Sequence, residues 1–386
     1  MVKLLMITGR GSAVDLASGK KGAFYNTFEE FHKYWERIDI ICPKIPNPKS
    51  QFPNKSQIPI SKSFDNVFIH PSPWPLIFQP FWILKKGLQI HRQQKFNFVA
   101  VHEYPPFYNG IGARMLWSKI RIPYVLEIFH IPGYPKAASL KEKIYKRFFY
   151  LFIKYDCEKA KAVRVMNNQI AEKLVALSIP KSKIKLISAI YIDLDIFKPM
   201  SLEKKYDLIF VGRLAKNKGI NLLLEALKIL RFKFHVSNFK VLIVGDGPLK
   251  NSLKSKVESL KLENNVIFYG WAEDSNKVAI FLNQSKFLVM TSYNEGGPRV
   301  VAEAMACGVP ILATPVGIVA DIMKDGQSGR IIKWDAEDIA KKAKSLLFNK
   351  LEYQKYSEAA FKIVEIERFE RKSAIRNYVE KLQGLI

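Results

Sequence analysis

Three times between residues 207 and 314, a short apolar run gives way to a glycine-lined turn and then to a stretch of helix character. Asp207–Val211 leads into the turn from Gly212 to Gly219. Lys240–Val244 leads into Gly245 and Gly247, and Phe287–Thr291 leads into Gly296 and Gly297. Strands that alternate with helices build a parallel sheet. A parallel sheet gathers the loops that follow its strands along one edge, which is where ligands bind in open α/β folds. The chain is therefore expected to be an α/β protein with its chemistry in these three turns.

The third turn carries the most. Glu295 and Glu303 lie eight residues apart, separated by Gly296, Gly297 and Pro298 and by the start of a short helix. The glycines let backbone approach a ligand, and proline suits a first helical position. Gly308, with Pro310 beyond it, reads as the helix stop. A helix N-terminus at a strand end is an anion site. The two carboxylates would accept hydrogen bonds from sugar hydroxyls there, or would be the solvated glutamates of an ordinary β-loop-α unit. In the first turn Arg213 offers a planar fork of donors and Lys218 a point charge, a way to meet phosphate. A solvated basic loop has the same composition.

The same alternation is present upstream. Leu4–Thr8, Ile38–Cys42, Asn66–His70, Phe98–His102 and Tyr124–Ile128 read as strands, and Ala23–Glu36 as a helix with Phe24, Phe28, Phe31 and Trp35 on one side. The segment after Gly9 and the proline-rich stretch 43–59 read as loops. Ile190–Lys205 reads as a linker, and Arg371–Leu382 as a last amphipathic helix. This predicts domains at 1–200 and 201–365, with a terminal helix at 366–386.

Net charge is +26, and residues 1–200 hold 31 basic against 14 acidic side chains. That excess points to a polyanionic partner: anionic lipid, nucleic acid or a phosphorylated substrate. The charge lies in lysine-rich helices, with no recognised nucleic-acid motif, so no nucleic acid is expected. Two stretches mix aromatic and basic residues in the manner of a bilayer interface, Trp74–Leu84 running into Lys85 and Lys86, and Lys141–Lys161. Both would serve equally as core with lysines facing water. Cys42, Cys157 and Cys307 have no metal-ligand spacing and suggest no disulfide framework, so a cytoplasmic protein is expected, one that sits peripherally on the inner face of the membrane if those stretches touch lipid. No run of about 18 apolar residues occurs.

The order of motifs, Val211-Gly212-Arg213-Leu214 with Lys218-Gly219, then Val244 to Pro248, Val266 to Gly270, and Glu295 to Pro310, resembles the family 4 glycosyltransferases, most closely from about Asp207 to Ile332. The resemblance implies a GT-B fold: two Rossmann-like domains facing across a cleft, the first binding acceptor and the second the nucleotide sugar, with a C-terminal helix crossing back to the N-terminal domain. It implies a retaining, metal-independent transfer of a hexose-type sugar from a UDP- or GDP-sugar co-substrate to a glycan or lipid-linked acceptor. In that pattern Arg213 and Lys218 neutralise the diphosphate, Glu303 binds the ribose and Glu295 the sugar hydroxyls. Backbone at Gly212, Gly245, Gly296, Gly297, Arg299 and Val300 lines the donor. His130, after the strand Tyr124–Ile128 and before Pro132 and Gly133, matches the histidine that contacts the transferred sugar. Gly19 and Gly22, flanking Lys20 and Lys21, match an N-terminal phosphate loop. His102 and Glu103 are a second strand-end pair, and Asp193 with Asp195 more simply makes turns than binds metal. A nucleotide-sugar epimerase of the same fold and a basic nucleic-acid-binding protein are the alternative readings. The chain departs from the pattern at Gly297, where the family has an aromatic residue, and at Pro315–Asp321, which holds one glycine and a shorter acid.

Overall fold

In the computed structural model, residues 2–17, 23–45, 58–59, 64–188, 190–364 and 370–385 are described. Chain contacts divide it into two units. Unit 1 comprises Met1–Ile131, Ile144–Ala189 and Ile375–Ile386; unit 2 comprises Pro132–Lys143 and Ile190–Ala374.

Unit 1 is built on eight strands: β1 (Lys3–Ile7), β2 (Arg37–Cys42), β3 (Ile58–Pro59), β4 (Val67–Pro71), β5 (Phe98–His102), β6 (Tyr124–Ile128), β7 (Ala162–Val165) and β8 (Ile184–Leu186). They run in the order β3-β4-β2-β1-β5-β6-β7-β8, parallel except for the β3–β4 pair. β5, β6 and β7 are buried along their whole length, which explains why they are near-continuous apolar runs rather than alternating ones. The order reverses between β1 and β5, so the loops after those two strands diverge and leave a crevice.

Unit 2 repeats the plan with β9 (Tyr206–Val211), β10 (Val241–Val244), β11 (Val266–Gly270), β12 (Ser285–Met290), β13 (Ile311–Ala313) and β14 (Gly329–Ile331). The sheet order is β11-β10-β9-β12-β13-β14, all parallel. Here the reversal falls between β9 and β12, the strands that precede the Gly212–Gly219 and Glu295–Pro298 turns. The helix Ile220–Phe232 buries Leu223, Leu224, Leu227 and Leu230 against the sheet. Their i, i+3/i+4 spacing is what made that helix legible.

Two local expectations change. The segment after Gly9 is a helix, Arg10–Ala17, rather than a loop. Gly11 and Ser12 hide it, since neither favours a helix interior and only Ala13, Leu16 and Ala17 are buried. The helix expected over Ala23–Glu36 ends at Phe31 and tightens into a 3-10 turn at His32–Tyr34; Trp35 still packs on Phe31 with ring centroids 5.6 Å apart. In the Trp74–Leu84 stretch a 3-10 turn at Leu76–Phe78 leads into a helix, Gln79–Gln94.

The terminal helix Arg371–Gln383 sends Ile375, Tyr378, Val379 and Leu382 into buried positions. Tyr378 donates from its hydroxyl to Glu127 Oε1 at 2.7 Å, inside unit 1. Glu127 is wholly buried, with Arg164 Nη1 at 3.2 Å and His102 Nε2 at 2.8 Å from its other oxygen. Burial alone would raise its pKa; Arg164, then His102, overcome that and hold it down at about 2. No helix among the described residues is long and apolar enough to cross a membrane.

Candidate active site

The site in unit 2 begins with two loops that the β9–β12 reversal brings together. Lys218 closes a 3-10 turn, Lys216–Lys218, just before the helix Ile220–Phe232. Thr291, at the end of β12, places its hydroxyl 3.1 Å from the Lys218 carbonyl and 3.0 Å from that of Gly219. The Tyr293 amide donates to Asn217 O at 2.7 Å. Fixed in this way, the Lys218 ammonium reaches Glu295 Oε1 at 2.5 Å. Ser292 donates its hydroxyl to the same oxygen at 2.9 Å. Glu295 Oε2 makes no hydrogen bond with the described residues. The carboxylate is thus oriented by two donors on one oxygen and keeps the other for a further donor.

Gly245 and Gly317 explain the close approach of neighbouring turns. A Cβ on Gly245, at φ +138°, would lie 1.9 Å from Gly212 O. One on Gly317, at φ +58°, would lie 2.4 Å from Gly296 O. Both backbones must therefore be glycine. The first contact presses the turn after β10 against that after β9, where Gly212 N–H also donates to Val244 O at 3.0 Å. The second lays the Pro315–Asp321 segment along Glu295–Gly296, with a short helix at Val319–Ile322.

The helix Arg299–Ala306 follows Pro298, which is extended. A helix start of this kind leaves its first amides without partners inside the helix, which suits an anion. The Arg299 side chain itself is engaged elsewhere: its guanidinium lies over Tyr191 at 4.5 Å and donates to Tyr191 O at 3.4 Å. Arg299 is therefore present at this turn through its backbone. Glu303, one helical turn on, accepts no hydrogen bond at its carboxyl from the described residues; burial raises its pKa, with Arg299 opposing. Arg213 is exposed, and among the described residues its guanidinium has no ion-pair partner.

Several contributors carried no sequence signal. Trp334 donates its indole N–H to Ser292 O at 2.9 Å, and Thr314 its hydroxyl to the same oxygen at 2.6 Å. Asn294 donates to Glu142 Oε2 at 2.9 Å and to Lys136 O at 3.1 Å. Lys136 lies over the rings of Tyr293 and Trp334. Residues 132–143 thus buttress the Glu295 turn from about 150 positions upstream in the chain, a link no local motif announces.

The remaining candidates lie elsewhere. His130 is half-buried in unit 1, just beyond β6. Gly19 and Gly22 lie outside the described residues. His102 and Glu103 are buried; His102 joins the Glu127 cluster, and its Nδ1 meets Thr8 Oγ1 at 3.0 Å. Asp193 accepts from the Asp195 amide at 3.2 Å and shapes a turn through its carbonyl, which takes the Phe197 amide at 2.8 Å. Among the described residues no group of three or more His, Cys, Asp or Glu is placed to hold a metal ion.

Comparison with known proteins shows what this span is similar to. Residues 192–363, the span that holds every unit 2 residue above from Arg213 to Trp334, match the family described as glycosyl transferases group 1. A protein named as an uncharacterized glycosyltransferase of Methanocaldococcus jannaschii is 29% identical over 294 residues, covering 74% of this chain and 76% of its own. Sucrose-phosphate synthase of Thermosynechococcus elongatus superposes with a TM-score of 0.77 at 17% identity, over 100% of this chain and 99% of that one. HepE of Anabaena, solved with UDP-glucose, gives 0.74 at 17% identity over the full length of both. The fold is thus GT-B, two Rossmann-like domains.

Proposed function

We propose that this chain is a retaining, metal-independent glycosyltransferase of family 4 that moves a hexose-type sugar from a UDP- or GDP-sugar to a glycan or lipid-linked acceptor. The observation that carries this is the Lys218–Glu295 pair at the β9–β12 reversal, with Glu295 Oε2 left to accept from a sugar hydroxyl. Lys218 has three donors, so it can keep Glu295 in place while facing a diphosphate. Arg213, exposed on the same loop, adds the second cation. The amides of Gly297, Arg299 and Val300 at a helix start add neutral donors, and together they stabilise the charge that develops on a departing nucleoside diphosphate. Glu303, desolvated and with no hydrogen-bond partner at its carboxyl among the described residues, suits the two hydroxyls of a ribose. Gly212 and Gly245 allow the backbone to lie against the donor, and His130 is assigned to the transferred sugar. In a front-face reaction the acceptor oxygen bonds to the anomeric carbon as the carbon–phosphate oxygen bond breaks, and the acceptor proton passes to the departing phosphate oxygen.

Support for a uridine donor comes from HepE, which is solved with UDP-glucose. The test is transfer from UDP- and GDP-sugars by Lys218→Ala and Glu295→Ala. Loss of one stabilising donor of this kind costs about 10²–10³ in turnover, so each variant should fall at least that far while melting near the wild type. Wild-type turnover in both would remove the assignment.

A further inference from the structure

Unit 1 has a surface that the donor site leaves unexplained. On the helix Leu140–Glu158, Ile144, Phe148, Leu151 and Tyr155 are all exposed, Leu151 at 66%. Their spacing of four, three and four residues places them in one stripe along the helix. Arg147 and Lys154 are exposed beside it. The turn before the helix Gln79–Gln94 exposes Leu76, Ile77 and Phe78, Ile77 at 64%, and the first turn of that helix exposes Phe81. Lys85 and Lys86 follow, lying over the rings of Trp74 and Trp82.

A cavity ties the two segments together. It has a volume of about 520 Å³ and lies at the β1–β5 reversal of unit 1, with both Leu76 and Tyr145 in its lining. Arg10, Lys44 and Asn109 add polar groups to its wall. Charge names the occupant of the surface around it. No acidic residue occurs between Asp65 and Glu103, or between Glu142 and Asp156, and Asp156 is buried. Exposed apolar side chains interleaved with lysine and arginine suit an anionic bilayer interface, where the rings and aliphatic chains enter the headgroup region and the cations meet phosphate. A second copy of a chain carrying +26 would meet like charge there.

We propose that unit 1 docks on anionic phospholipid through the Leu76–Phe81 ridge and the Ile144–Tyr155 stripe together, which sets the rim of the cavity at headgroup level. This deepens the reading of a lipid-linked acceptor, and its test is independent of transfer. The full-length protein is sedimented with vesicles of phosphatidylcholine, alone or mixed with phosphatidylglycerol, at low and high salt. Binding is expected only with phosphatidylglycerol and should weaken as salt rises. Leu151→Glu and Ile77→Glu, both on exposed side chains, should each lower partitioning about tenfold or more, the scale of removing one buried large side chain from the interface, without lowering the melting temperature. Equal binding to both vesicle types, or no loss in either variant, overturns the proposal. So does a wild-type dimer that Leu151→Glu converts to monomer, which would assign the face to a second copy. Vesicle binding that persists while Lys218→Ala and Glu295→Ala keep full transfer would instead remove the donor-site reading and leave the docking surface standing.

Discussion

Two buried carboxyl groups in unit 1 act against the stability of the protein at neutral pH. Glu103 and Asp156 crowd Gly110: a Cβ there would sit 2.5 Å from Glu103 Oε2 and 2.6 Å from Asp156 Cγ. Glu103 Oε1 and both Asp156 side-chain oxygens are buried without hydrogen-bond partners among the described residues. Burial, and then repulsion from Asp156, raises Glu103 well above the usual carboxylate range; burial raises Asp156, with Arg114 opposing. A carboxyl raised in the folded state binds more protons folded than unfolded once pH exceeds its ordinary value, so stability falls as pH climbs. Glu103→Gln removes that dependence and keeps a carbonyl oxygen for the Gly110 amide. Denaturant unfolding should therefore show the variant gaining on the wild type from about pH 5 to pH 8. Glu127 acts with the opposite sign. Its lowered pKa contributes stability above the ordinary carboxylate value that is lost as pH falls toward about 2. Tyr378→Phe removes a hydrogen bond to that buried carboxylate and should cost about 1.5–3 kcal/mol in unfolding free energy.

At the scale of elements, the turns after β9, β10 and β12 behave as one object. Gly245→Ala would drive a methyl into Gly212 O, so the turn must open, at a cost of about 1–3 kcal/mol for the strained backbone alone. Thermal stabilisation by UDP or GDP should fall more than the melting temperature of the free protein does. These turns were legible in the sequence because glycine, proline and a strand's β-branched run are all local signals, and so was the two-sheet plan. The support behind them was not. Ser292, Trp334 and Glu142 are ordinary residues whose roles depend on contacts 3 to 152 positions apart in the chain. Arg299 shows the converse: its place in the motif was legible, but its side chain packs on Tyr191, which only the folded chain reveals. β7 and β8 went unread because runs of four and three residues carry little periodicity. The aromatic stretches had two readings open, and the structure divides them by residue. Phe149 and Ile153 are core, while Phe148 and Leu151 on the same helix are exposed.

For the molecule as a whole, the order of synthesis differs from the order of completion. The residues that close unit 1, Ile375, Tyr378, Val379 and Leu382, come from the ribosome after every strand of unit 2. Until then Glu127 and Arg164 lack the Tyr378 hydroxyl and ring that cover them. A nascent chain therefore completes unit 1 only after all of unit 2 has been made, and it carries an incompletely covered core through that stretch of translation. A chain stopped after Ala374 should show this directly, with faster proteolysis confined to unit 1 fragments while unit 2 fragments persist.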